Sequence, residues 1–137
     1  MIGVLIIAHD TLPDSLVKAV THVLGSRPSQ LETLSVAATD DPLDLMPAAR
    51  ERLRALDTGD GVLVFADIYG ATPCNLAGKL QVPGHVELIA GVNLPMLVRA
   101  FTYRAKGMET MITKAVSGGR DGVLHIELDP VYATTRS

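Results

Sequence analysis

Apolar residues fall along this chain in two rhythms. Residues 2–8 ("IGVLIIA"), 62–66 ("VLVFA") and 86–90 ("VELIA") are near-continuous apolar runs of strand length. Runs without alternation suit strands covered on both faces, as in a parallel sheet. Between them the apolar positions take helical spacing. Leu12, Leu16, Val20 and Val23/Leu24 mark one helix, with Thr11 as N-cap, Asp14 in the first turn and Gly25 as the stop. After a weaker strand at 31–36 ("LETLSV"), Asp41 caps a second helix with Pro42 at its first position. Leu45, Ala49, Leu53 and Leu56 mark its buried side, and Pro47 blurs its start.

The second half repeats the scheme. A short helix begins near Thr72-Pro73, and another follows "GVN" with Asn93 as cap. A further helix over "METMITKAVSGG" closes on Gly118 and Gly119, and "VLHIEL", 123–128, reads as a last strand. The expected fold is α/β, doubly wound, with a mostly parallel sheet and helices on both faces. One domain spans 1–137, with a tail, "VYATTRS", free to fray.

In open α/β sheets, ligands bind beyond the carboxyl ends of the strands. His9 follows the first strand there, Asp67 follows the strand at 62–66, and "AGVN" follows the strand at 86–90. If the strands at 2–8 and 62–66 are neighbours, His9 and Asp67 meet. A carboxylate on one ring nitrogen fixes the tautomer and leaves the other nitrogen a lone pair. Beyond Asp67, "IYGATPCN" offers a phosphate cradle: Gly70 permits an unusual turn, and Thr72 caps a helix opening on Pro73. Together these point to phosphoryl transfer to and from His9. The chain has no nucleotide-binding glycine loop and no metal-ligand cluster, so the phosphate must arrive on another molecule.

Composition narrows this little. The chain of 137 residues is 47% hydrophobic with formal net charge −3, which argues against a nucleic-acid partner. Cys74 is the single cysteine, so no intrachain disulfide forms and a reducing, cytoplasmic setting is expected. The apolar N-terminus is too short to insert into a membrane.

At this point "LIIAHDTLPDSL", "GVLVFADIYGATPCNLA" and "VELIAGVNLPMLV" resemble the IIA component of the mannose-type phosphoenolpyruvate-dependent phosphotransferase system. "AVSGGRDGV" fits its C-terminal part, and the match covers essentially the whole chain in order and spacing. The resemblance implies that His9 takes a phosphoryl group from the phosphocarrier HPr and passes it to a IIB component. Asp67 would hydrogen-bond the imidazole. Gly70, Ala71 and Thr72 would form the phosphate-side loop. No cofactor is implied beyond the covalent phosphoryl group. The resemblance also implies a homodimer in which the last strand, "VLHIEL", is exchanged. Ala71 stands where many members have a second glycine, and Cys74 where an aromatic is common. The sequence stops at Ser137 without a linker or IIB domain, so the acceptor is expected on a separate chain.

Plainer readings compete. His22 reads as solvated, His85 as a structural loop residue and His125 as an edge or interface residue. Cys74 reads as packed, the methionines as core or partner surface, Asp10 as a helix-start residue, and Arg99 and Arg104 as a solvated face. A regulatory module that binds partners by phosphorylation state is the second functional reading. A receiver-like domain phosphorylated on Asp67 is the third, weakened by the lack of an acidic cluster beside Asp10.

Overall fold

The computed structural model describes residues 1–128. Four parallel strands form one sheet: β1 (Gly3–His9), β2 (Leu31–Val36), β3 (Val62–Ala66) and β4 (Val86–Ala90). Their order is β2-β1-β3-β4, so the chain winds outward from β1 in both directions. The helices are α1 (Leu12–Leu24), α2 (Pro42–Leu56), α3 (Thr72–Gly78), α4 (Leu94–Thr102) and α5 (Met108–Asp121), with a 3₁₀ turn at Arg104–Lys106.

The continuous apolar runs have a simple cause: alternate residues feed two cores. Val4, Ile6, Leu63 and Phe65 face α1, α4 and α5, packing with Val17, Val20, Leu97, Ala100, Met111 and Ala115. Leu5, Ile7, Val62 and Val64 face α2 and α3, packing with Ala49, Leu56, Leu76 and Ala77. The helices do lie on both faces, as the pattern required.

Some local expectations are met and others are corrected. The buried line of α1 is Pro13, Val17 and Val20; Leu12, Val23 and Leu24 are exposed. Thr11 is its N-cap by position but makes no side-chain capping bond. Pro47 lies inside α2, whose start at Pro42 is fixed by Asp41, which accepts from the Leu43 N–H. Gly118 and Gly119 are interior to α5 and buried rather than a stop. A Cβ at Gly119 would come 2.7 Å from Met96 Cε, and one at Gly118 2.7 Å from Arg99 Cβ. These glycines let α5 close on α4. Asn93 caps α4 through the Met96 N–H and also donates to the Gly119 carbonyl.

Arg104 is not solvated but buried, and it donates to the carbonyls of Ile2, Ser29 and Gln30 at 2.7, 2.6 and 2.8 Å. It ties the turn after α4 to the starts of β1 and β2. Residues 123–128 pair with no strand within the described chain; Val123, Leu124, Ile126 and Leu128 are exposed. A strand needs a ladder partner, and α5 releases this segment where the single chain supplies none. The expected tail, 131–137, lies outside the described residues.

Candidate functional site

The parallel register sets the site. Ile7 lies opposite Ala66 on β3, so Asp67, one residue on, reaches the end of β1. His9 Nδ1 lies 2.6 Å from Asp67 Oδ2. The same oxygen accepts the His9 backbone N–H at 3.0 Å, and Oδ1 accepts from the Ile68 N–H at 2.9 Å. Both carboxylate oxygens are thus engaged, and the side chain is only 11% exposed.

Burial alone pushes the Asp67 carboxyl up. The His9 N–H, the His9 ring by hydrogen bond and by charge, and the Ile68 N–H outweigh that and hold it below the ordinary carboxylate range. At neutral pH Asp67 is therefore ionised and can only accept, so Nδ1 carries the ring proton. Nε2 is left with the lone pair, on an imidazole whose side chain is 44% exposed. A buried orienting group and an accessible nucleophilic nitrogen are the two halves of an activated histidine.

His9 continues the alternation that turns Leu5 and Ile7 toward α2 and α3. The ring is thus on the side of the sheet where α3 begins. Gly70 has φ +85°, a left-handed turn that a side chain would strain. Ala71, not Thr72, is the N-cap of α3, with φ −89° and ψ 169°. That extended backbone accepts the methyl group of Ala71 without strain. Thr72 is the first helical residue, and no side-chain capping bond closes this helix start. Because Pro73 has no N–H, the open first-turn donors are those of Thr72 and Cys74. Cys74 itself is buried and free, a packed cysteine. Asn75 Nδ2 donates to the Gly70 carbonyl at 3.4 Å, bracing the turn.

A second histidine–aspartate pair escaped the sequence reading. His85 Nε2 lies 2.6 Å from Asp57 Oδ2, as close as His9 is to Asp67. Asp57 also accepts from the N–H groups of Gly59 and Gly61, and Gly59, then His85, chiefly lower its carboxyl below the ordinary range. This pair joins the loops that lead into β3 and β4, at the amino ends of the strands. A short His–Asp contact is therefore not diagnostic by itself; position at the carboxyl edge is what sets His9 apart. The "DTGDG" loop could have flagged Asp57 as a turn former, but nothing in the sequence tied it to His85. His22 is exposed, and His125 is exposed with Glu127 at 3.9 Å. Among the described residues no three His, Cys, Asp or Glu side chains group as a metal site, and no helix is long and apolar enough to cross a membrane.

Comparison with known proteins gives four findings. The EIIA-man family model, described as PTS system fructose IIA component, matches residues 3–116. The chain is 31% identical over 133 residues to the PTS system mannose-specific EIIAB component of Escherichia coli (strain K12), covering 95% of this chain and 41% of that protein. The chain therefore spans about two fifths of the length of that relative. A 68-residue stretch, 49% of this chain, is 29% identical to 7% of the transcriptional regulatory protein LevR of Bacillus subtilis (strain 168). In fold, the chain is similar to the mannose/sorbose specific IIA subunit of the phosphotransferase system from Enterococcus faecalis. That likeness has a TM-score of 0.82 at 21% identity and covers 93% of this chain and 96% of that one.

Proposed function

The chain belongs to the EIIA-man family of phosphotransferase-system IIA components, and from that premise we propose that it is a phosphohistidine relay protein working through His9. The observation that carries this reading is the His9–Asp67 contact at the carboxyl edge, with Nδ1 committed to a carboxylate and Nε2 open.

The donor is the phosphohistidine of HPr. The Nε2 lone pair of His9 attacks phosphorus in line, the donor's P–N bond breaks and a P–Nε2 bond forms. A donor ring protonated on its second nitrogen leaves as neutral imidazole. The positive charge passes to His9, where Asp67 stabilises it through Nδ1–H. Gly70, Ala71 and Thr72 shape the turn against which the phosphoryl oxygens rest, with the Thr72 hydroxyl and the open N–H groups of α3 as donors. Leu43, Ile68 and Tyr69, exposed at this edge, supply apolar surface for a docking protein. The acceptor is a IIB component. The exposed apolar segment 123–128 supports a homodimer in which it pairs with a partner's sheet.

The test is labelling by phosphorylated HPr. Wild-type chain should take up one phosphoryl group as an acid-labile, base-stable phosphoramidate, and His9→Ala should take up none. Undiminished labelling of the His9→Ala protein refutes the reading.

A second reading is favoured by the LevR match: a unit of this kind within a transcriptional regulator is consistent with reporting phosphorylation state rather than feeding a sugar. Phosphorylated protein that binds a partner yet passes nothing to any IIB component would decide for it.

A further inference from the structure

Asp10, the residue next to His9, has φ +50°, one of only two non-glycine residues in the described chain with positive φ. The other, Gln30, has a structural use: its carbonyl is held by the Arg104 guanidinium and the Val4 N–H. Asp10 has no comparable one for its side chain. Its backbone N–H extends the ladder by donating to Val36 at 3.0 Å, but its exposed carboxylate makes no hydrogen bond among the described residues. It is not the cap of α1, which is Thr11, and the first-turn acid of that helix is Asp14. Glycine would make the same left-handed turn without strain. What aspartate adds is a fixed negative charge one residue from the reacting ring.

The loops around it supply no cation, and Arg120, the cation at the end of α5, lines a cleft with Ala90, Gly91 and Asn93 beside β4, across β3 from β1. The four loops at this edge, residues 10–11, 37–41, 67–71 and 91–93, contain Asp10, Asp40, Asp41 and Asp67 and no lysine or arginine. Asp40 and Asp41 cap the backbone N–H groups of Ala37 and Leu43, and Asp67 holds His9.

We infer that Asp10 tunes the phosphoryl-transfer potential of His9: its carboxylate opposes a phosphoryl dianion on Nε2, so that the group is held weakly and passed on readily. This rests on the proposed phosphorylation of His9. Adjacent Cα atoms are about 3.8 Å apart, which with the reach of the two side chains puts the carboxylate and the phosphoryl group no more than about 13 Å apart, well inside the Debye length of about 30 Å at ~0.01 M salt. Because the phosphorylated ring keeps Nδ1–H, the transfer adds one net negative charge, and one unit charge acting on another across about 8 Å of water-like dielectric changes an equilibrium about two- to threefold at low salt.

The experiment equilibrates the purified chain, and its Asp10→Asn and Asp10→Gly variants, with phosphorylated HPr, and measures the phosphorylated fraction of each protein. Asparagine tolerates the left-handed backbone, and both variants lose the charge. Both should show a transfer equilibrium shifted about two- to threefold toward phospho-His9 at ~0.01 M ionic strength, with the gap closing at ~1 M. A role for Asp10 in attracting a basic partner would alter the rate of transfer only, because docking cancels from the equilibrium. An Asp10→Asn protein that equilibrates like wild type at low salt, whatever its rate, overturns the proposal. So does a shift seen in Asp10→Gly alone, which would assign the effect to the backbone. A wild-type chain that takes no phosphoryl group removes the underlying reading instead, a result visible before any variant is compared.

Discussion

Asp67 gathers three N–H groups on two oxygens: the backbone and ring of His9 and the backbone of Ile68. Replacing it with asparagine keeps the shape but presents an amide that donates as well as accepts. The tautomer of His9 is then no longer imposed, and labelling by phosphorylated HPr should slow by about 10²–10⁴-fold in a rapid-quench measurement. A rate within twofold of wild type would show that the orienting contact is dispensable. The acid behaviour follows from the lowered carboxyl. A group whose folded pKa lies below its unfolded value contributes stability above the unfolded pKa, about 3.9 for aspartate, and loses it as pH falls through the folded value. The stability gap between wild type and Asp67→Asn, read by urea denaturation, should therefore shrink as pH falls below about 4. A gap that does not shrink there would contradict the sign. At this scale the sequence showed both residues and the chemistry they could share, because strand ends are legible from apolar runs. It did not show that Asp57 and His85 form the same contact in the wrong place for it.

At the scale of elements, strands were easy to read and helix faces less so. Both-sided burial leaves continuous apolar runs in β1 and β3, while β4, at the edge of the described sheet, buries Val86 and Ile89 and leaves its other residues half-buried. The buried line of α1 runs one position away from the leucines that seemed to define it, because Pro13 and Val17 rather than Leu12 and Leu16 meet the sheet most closely. Gly118 and Gly119 looked like a stop because glycine usually ends helices; here close approach of α4 and α5 demands them. Arg104 shows the same limit. Its three carbonyl partners lie far away in sequence, on residues 2, 29 and 30, so no local pattern could announce its burial. Arg104→Met should destabilise the fold by about 2–4 kcal/mol in urea denaturation while leaving His9 labelling within about twofold, since the clamp sits at the opposite end of β1. A loss of labelling in folded Arg104→Met protein would tie the clamp to the site.

For the whole molecule, the open question of organisation is the segment 123–128. Its alternation of apolar and polar residues reads as a strand, yet the single chain leaves it exposed and unpaired. A partner sheet is the natural receiver, because an exposed apolar strand seeks a ladder. Sedimentation should find the full chain dimeric and a chain ending at Gly122 monomeric or unstable. A truncated chain that remains a tight dimer would rule out exchange of this segment as the basis of assembly.

The sequence by itself determined the α/β class, the order of strands and helices and the two residues at the strand ends. Each of these follows from short-range pattern: both-sided burial makes continuous apolar runs, and chain punctuation marks where they stop. Only the tertiary structure decided that β1 and β3 are neighbours in the register that joins His9 to Asp67. It also decided that Ala71 rather than Thr72 caps α3, that Asp10 is held left-handed beside His9, and that Arg104 is buried. Those features rest on contacts between segments distant in sequence or on backbone angles, and neither leaves a local trace in the order of residues.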